Sequence, residues 1–214
     1  MPETAAAPIL FLATPTHDAR VHHAYMNGVL EAALAHRGRL IISKFTSLTL
    51  SLSRDILTAH FLRSNATHLF WVDSDIGWGA ADLEKLLSAN RDFVCGNYAR
   101  KQEDRGLASE LRRHREGKLI EAKYAAAGFV LLTRACVERL VNAHPELKYE
   151  TAHGPAWALW SPIFQRVPRS EDISFSKRWQ NLGEKIWVHS EVIVRHYGET
   201  IYLPEVPEPA EDPP

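Results

Sequence analysis

The sequence predicts an α/β fold, a parallel sheet covered by helices. Two observations carry this. Short apolar runs of strand length alternate along the chain with stretches whose apolar residues recur at helical spacing. Turn-formers and capping residues fall at the joints between them. With 214 residues the chain can build one sizeable core and is barely long enough for two. One domain is expected over residues 1–203, followed by a proline- and acid-rich disordered tail at 204–214.

Pro8–Ala13 reads as the first strand, and Thr14-Pro15-Thr16-His17-Asp18 as the loop after it. Met26, Val29, Leu30, Ala33 and Leu34 follow at i, i+3, i+4, i+7 and i+8, the stripe of an amphipathic helix that Gly38 is placed to end. Arg39–Phe45 gives a second strand. Ser53 is a candidate cap for a helix running to about Asn65, with Leu52, Ile56, Ala59 and Leu62 on its inner stripe and Arg54 in its first turn. Thr67–Val72 is a third strand, a short helix carries Leu83, Leu86 and Leu87, and Asp92–Gly96 is a fourth strand. Gln102–Lys118 is charged and without period, which reads as a solvated loop. Ala125–Thr133 is then a strand and Arg134–Ala143 a helix. Trp157, Trp160, Pro162 and Phe164 make the next stretch too aromatic for an inert linker. Ser170 caps a last helix, with Phe175, Trp179 and Leu182 inward and Gly183 as its stop, before short strands at Ile186–Val188 and Val192–Arg195.

Composition narrows the function. Lys+Arg 25 against Asp+Glu 26 leaves no global field for nucleic acid or anionic membrane, so an anionic ligand must be met by local groups. Cys95 and Cys136 sit in or beside apolar segments and read as small buried hydrophobes of a reducing compartment. No apolar run reaches the roughly 20 residues of a membrane span, and the first residues lack a secretory pattern; a cytoplasmic protein is expected.

Asp73-Ser74-Asp75 is the most informative motif. It follows a buried strand, and the period of two sends Asp73 and Asp75 to one side, within reach of one divalent cation. Ligands of open α/β sheets collect at such carboxyl ends. Two hard oxygens suit Mg²⁺ or Mn²⁺ that completes its shell with water and substrate phosphates. A plain polar turn is the other reading. His196 could add an imidazole to such an ion. Arg54 could fork onto a carboxylate or phosphate, and Lys101 could neutralise a diphosphate. Thr14, Pro15 and Thr16 could line a pocket for base and ribose. Asp172, one turn from Phe175, could act as a general base, although Glu171 and Asp172 also suit a helix's first turn with no catalytic role.

Taken in order, Ala13-Thr14-Pro15, Leu52-Ser53-Arg54-Asp55, Thr67 through Gly77, Asn97-Tyr98-Ala99-Arg100-Lys101, Ala127-Gly128-Phe129, Ser170-Glu171-Asp172 and His196-Tyr197-Gly198 resemble the GT-A glycosyltransferases, in particular their small single-domain viral and bacterial type. The resemblance implies a Rossmann-like nucleotide half fused to an acceptor half around a central, mostly parallel mixed sheet. It implies base contacts from Thr14, Pro15 and Thr16, and ribose and metal contacts from Asp73, Ser74 and Asp75. It further implies His196 as a metal ligand, Gly128 bordering donor sugar and acceptor, and Glu171 and Asp172 at the reacting centre. Asp55 departs from the pattern, which carries Asn there. The function so implied is transfer of a sugar from a nucleoside-diphosphate sugar, UDP being the expected nucleotide, to a hydroxyl acceptor such as a glycan, with Mn²⁺ or Mg²⁺. The alternatives are a nucleotidyltransferase, which should carry a glycine-rich basic loop absent from Thr14–Arg20, and a non-catalytic nucleotide-sugar-binding module.

Overall fold

The computed structural model describes residues 7–102, 106–164, 169–198 and 201–202; the expected tail at 204–214 lies outside them. In chain order the elements are β1 (Leu10–Thr16), α1 (His23–Ala35), β2 (Leu40–Thr46), α2 (Leu50–Arg63), β3 (His68–Val72), β4 (Ile76–Gly77), α3 (Ala80–Ser88), β5 (Phe93–Asn97), β6 (Glu110–Glu116), β7 (Leu119–Tyr124) and β8 (Phe129–Thr133). They continue with α4 (Arg134–Ala143), β9 (Lys148–Thr151), β10 (Gly154–Trp157), α5 (Glu171–Asn181), β11 (Ile186–Ile193), β12 (Arg195–Tyr197) and β13 (Ile201–Tyr202).

Eight strands form the central sheet in the order β2-β1-β3-β8-β5-β11-β7-β6. The α/β class holds, and the sheet is mixed rather than mostly parallel. β1 pairs with β2 and β3, and β5 with β11, in parallel, while β8 runs antiparallel to both β3 and β5 and the β6–β7 hairpin antiparallel to β11. β8 follows β7 after the short link Ala125–Gly128 and runs in the same direction as β7, with β5 and β11 between them in the sheet.

Because successive strand side chains point to opposite faces, the continuous apolar runs supply two cores at once. Phe11, Ala13, Leu69, Trp71, Cys95 and Val130 pack under α2, α4 and α5, whereas Leu10, Leu12, Phe70, Val72, Val94 and Leu131 pack under α1 and α3. Cys95 and Cys136 are free and buried, as small hydrophobes should be. Among the described residues no helix is long and apolar enough to cross a membrane.

Several local expectations shift. β1 runs on to Thr16, so Thr14-Pro15-Thr16 is strand and not loop. In α1 the inward stripe is Tyr25, Gly28, Val29 and Ala32, while Met26, Leu30 and Leu34 face outward. Gly28 decides that rotation: a Cβ there would stand 2.5 Å from the Trp78 ring, so only the glycine lets the helix settle onto the tryptophan. α2 begins at Leu50 behind Thr49, which puts Ser53 inside the helix, buried, and not at its cap, and Arg54 in its second turn. The charged stretch read as a loop contains β6, an exposed sheet edge whose charges discourage pairing with another chain, turned into β7 by Gly117 at φ 58°. β11 is one strand across Ile186–Ile193, with its register against β5 broken between Val188 and Ile193.

α2 is fixed at its C-terminal end and in its middle. Its C-terminal carbonyls, orphaned by helix geometry, are gathered by one guanidinium: Arg134 donates to Phe61 O (3.1 Å), Ser64 O (2.8 Å) and Ala66 O (2.7 Å). Midway along, the buried Asp55 accepts from the Trp160 backbone N–H (3.0 Å) and the Tyr149 hydroxyl (3.2 Å), tying α2 to the β9–β10 segment. Trp160 in turn stacks on Phe175 at 3.9 Å and meets Trp71 edge-on, which makes the aromatic stretch part of the core.

Burial pushes the Asp55 carboxyl up to about 7, against the opposing pull of these hydrogen bonds and Arg178. A carboxyl raised on folding binds its proton more tightly in the native state, so this group's contribution to stability declines as pH climbs from its ordinary value of 3.8 toward 7. We expect a decline on the order of 2–4 kcal/mol across that window, flattened in Asp55→Asn. Denaturant unfolding of both proteins between pH 4 and 8 checks this, and parallel curves would refute it.

Candidate active site

β3 delivers Asp73 to the carboxyl end of the sheet, beside the buried link Ala125–Gly128. Buried backbone must find partners, and here each partner comes from a different element. Ala125 N–H donates to Ser176 Oγ (3.1 Å), Ala126 N–H to Ser109 Oγ (3.1 Å), and Gly128 N–H to the Tyr98 hydroxyl (2.9 Å). Gly128 O accepts from Asp73 N–H at 3.0 Å. No side chain fits at Gly128, because a Cβ would lie 2.6 Å from the Tyr98 hydroxyl and 3.0 Å from Asp73 Oδ2.

Arg54 joins this link to the motif. Its Nη2 donates to Asp73 Oδ1 at 2.9 Å and its Nη1 to Ala127 O at 3.3 Å, and the guanidinium packs against both the Trp71 and Trp160 rings, 5.2 and 5.0 Å from their centroids, where the two rings themselves meet edge-on. The side chain is 2% exposed. Burial raises the Asp73 carboxyl, with Asp75 adding to the effect and Arg54 opposing it. Tyr98 is held far above its ordinary value, first by burial and then by the Asp73 charge.

Asp75 faces a different set. Lys101 Nζ donates to Oδ2 at 2.5 Å, and His196 Nε2 lies 3.6 Å from Oδ1, beyond hydrogen-bond reach. Burial works against its ionisation, but His196 and Lys101 prevail and hold the carboxyl below its ordinary value. Strand pairing explains the approach of His196: β12 lies antiparallel to β4 with His196 opposite Ile76, next to Asp75. His196 Nδ1 stands 2.8 Å from Ala99 O. A carbonyl only accepts, so Nδ1 carries a proton, and in its neutral form the ring has its Nε2 lone pair toward Asp75. His22 has the reverse arrangement, its Nδ1 accepting from Ala24 N–H at 3.2 Å, so its neutral ring is protonated at Nε2.

Asp75 and His196 thus come together as an oxygen and a nitrogen donor, while the nearer oxygen of Asp73 is engaged by Arg54. Among the described residues no three His, Cys, Asp or Glu side chains form a metal-holding group. The donor set fits a hard ion that keeps water and phosphate oxygens for the rest of its shell.

The remaining expected residues distribute unevenly. Glu171 and Asp172 open α5, half-buried. Glu171 belongs to the cluster: burial raises its carboxyl, Asp172 and Asp73 add to the rise, and Arg54 counters it. Asp172 Oδ1 accepts from the Ser170 hydroxyl and from Ile173 N–H (2.7 Å), a helix-start arrangement, and its charge is felt by Tyr98. Thr14 and Thr16 are buried with their hydroxyls spent internally, on Tyr25 at 2.5 Å and Thr46 at 2.7 Å, and Pro15 is buried between them. Ser74 offers its carbonyl to His22 N–H at 2.7 Å. Tyr98 and the Ala99 and Ala127 carbonyls were not singled out by sequence reasoning; small residues after a strand were the sole signal for them.

No family model matches the chain, and no curated protein does. Among solved structures it is similar to A197 from STIV, with a TM-score of 0.57 and 16% sequence identity over 92% of this chain and 94% of that one. At that identity the likeness shows a shared fold.

Removing the Arg54 charge leaves Asp73 and Ala127 O without a partner in a largely buried setting. Arg54→Met should cost about 3 kcal/mol, a Tm drop of about 6–12 °C. Arg54→Lys should recover less than half of it, since a single ammonium cannot reach both acceptors while packing as a planar fork does against the two indoles. A lysine variant melting within about a degree of wild type would refute the assignment.

Proposed function

We propose that the protein is a GT-A-type, metal-dependent glycosyltransferase that moves a sugar from a nucleoside-diphosphate sugar, with UDP as the expected nucleotide, to a hydroxyl acceptor. The observation that carries the reading is the meeting of Asp73, Asp75, His196, Arg54, Lys101, Gly128 and Glu171 at the carboxyl end of β3. These residues come from six separate stretches of sequence, which a plain polar turn does not require. The shared fold with A197 from STIV is compatible with this reading and adds no chemistry to it.

In this reading Mn²⁺ or Mg²⁺ is held by Asp75 and His196, with Asp73 beside them, and supplies the Lewis acid that steadies the departing diphosphate. Arg54 keeps Asp73 ionised and in place. Lys101 meets the diphosphate as a point charge, and Ser74 and the β1 end with Thr14, Pro15 and Thr16 border the nucleotide through their backbone. Gly128, lacking a side chain, lets Asp73 and the Tyr98 hydroxyl close against the link that borders the sugar. As the bond from the anomeric carbon to the diphosphate breaks and the acceptor oxygen bonds to that carbon, the acceptor proton passes to Asp172. Glu171, whose carboxyl is raised by burial and by the Asp172 charge, stands beside it as the second carboxylate of the pair.

Calorimetry with UDP, GDP and their sugars, with and without Mn²⁺, tests the donor site. One nucleotide should bind in a metal-dependent manner, and Asp75→Ala should lose at least about ten-fold in affinity. Absence of binding under every condition refutes the reading. Asp172→Asn should retain donor binding and lose about 10²–10⁴-fold in transfer rate; undiminished transfer would remove Asp172 from the role of base.

A further inference from the structure

We infer that Lys101 is a built-in competitor for the divalent cation: its ammonium and the ion claim the same carboxylate, that of Asp75, and the displaced ammonium is then free for the diphosphate. This rests on the metal reading proposed above.

The two carboxylates of the motif are neutralised in opposite ways. The cation on Asp73 is fixed, since the Arg54 side chain is 2% exposed and packed against two indoles. The cation on Asp75 is exchangeable, because Lys101 and Asp75 are each 35% exposed and a lysine leaves its partner by rotating its own side chain, with no core contact broken. The backbone that carries Lys101 is nevertheless anchored. Tyr98 holds Gly128 N–H, Ala108 N–H donates to Tyr98 O at 2.9 Å, Val194 N–H donates to Asn97 O at 2.9 Å, and Ala99 bridges to Leu107.

The same short segment sets up the other donor. Ala99 O fixes the His196 proton on Nδ1, so that the Nε2 lone pair faces Asp75 from the side opposite Lys101. Two residues apart on one strand end, Ala99 thus readies a nitrogen ligand while Lys101 covers the oxygen ligand beside it. A cation entering between His196 and Asp75 meets Oδ1 while the ammonium holds Oδ2 of the same carboxylate, so it has to displace that ammonium or share Asp75 with it at a repulsive distance. Either way the ion binds more weakly than the two donors alone would allow. Once an anionic diphosphate is present, the ammonium gains a second place to go, and metal and nucleotide each strengthen the binding of the other.

Mn²⁺ binding read directly by electron paramagnetic resonance, with and without UDP, tests this on wild type, Lys101→Met, Lys101→Arg and Asp75→Asn, each first shown folded by thermal unfolding. Lys101→Met should bind Mn²⁺ about 5-fold more tightly than wild type without UDP, and the mutual enhancement between Mn²⁺ and UDP should shrink. Lys101→Arg, which keeps a cation, should stay near wild type. Unchanged or weaker Mn²⁺ binding in Lys101→Met, with Asp75→Asn abolishing it, overturns the competition and leaves the metal site standing. Equal tightening in the methionine and arginine variants overturns it too, because the effect would not be one of charge. Failure of every variant and of wild type to bind Mn²⁺, with or without UDP, overturns both the competition and the metal reading.

Discussion

The burial of one arginine constrains everything around it. Arg54 sits on α2, its guanidinium packed against Trp71 of β3 and Trp160 of the segment after β10, with Asp73 and the Ala127 carbonyl as its acceptors. A charge so placed is tolerable only if its partners are in position, and an isolated buried guanidinium would cost several kcal/mol. The ends of β3 and of the β7–β8 link, the depth of α2 and the packing of Trp160 on Phe175 are therefore interdependent. Arg134 at one end of α2 and Asp55 in its middle hold the helix at the depth this requires.

Most of the fold was legible because apolar runs and helical periodicity report burial directly. The α4 span Arg134–Ala143 and the strands carrying Phe70 and Val94 lie where the pattern puts them. What failed has identifiable causes. β6 is an edge strand whose exposed positions are charged by necessity, so it has no apolar alternation to read. The α1 stripe was displaced because hydropathy ranks Met26 and Leu30 above Gly28, while the requirement at that position is close approach to Trp78, which only a missing side chain satisfies. The direction of β8 is set by its place between β3 and β5, both of which it opposes, and not by the composition of the strand itself.

The site was legible where a residue's type and its chemistry coincide. Asp73, Asp75, Lys101 and His196 carry their charge or donor atoms in their names, and strand ends are where such groups gather. Thr14 and Thr16 illustrate the reverse. Their hydroxyls look available in sequence and are consumed inside the fold by Tyr25 and Thr46. Main-chain partners such as Ala99 O and Ala127 O are invisible in principle, because every residue offers a carbonyl and only tertiary structure selects which ones are used. Asp55 shows how a departure from a motif can be a small one. Where the resembling pattern carries Asn, burial raises this carboxyl to about 7, toward the neutral form that is nearest in charge and shape to an amide.

Two aspartates separated by one residue thus acquire different capacities from their surroundings alone, as carboxylates in one site commonly do. Asp73, at 29% exposure and tied to an immobile guanidinium, can serve as a fixed negative charge and a steric boundary against Gly128. Asp75, at 35% exposure between a mobile ammonium and an imidazole, is the one able to change partners. The histidines divide the same way. His196 gives its Nδ1 proton to Ala99 O and keeps a lone pair for the site, whereas His22, caught by the Ala24 N–H at the start of α1, cannot as a neutral ring offer Nε2 to an ion. The capacity to bind and release a cation is therefore concentrated at Asp75 and His196. The segment that controls both is Asn97–Lys101, whose main chain is held by Gly128, Ala108 and Val194 while its last side chain remains free to turn.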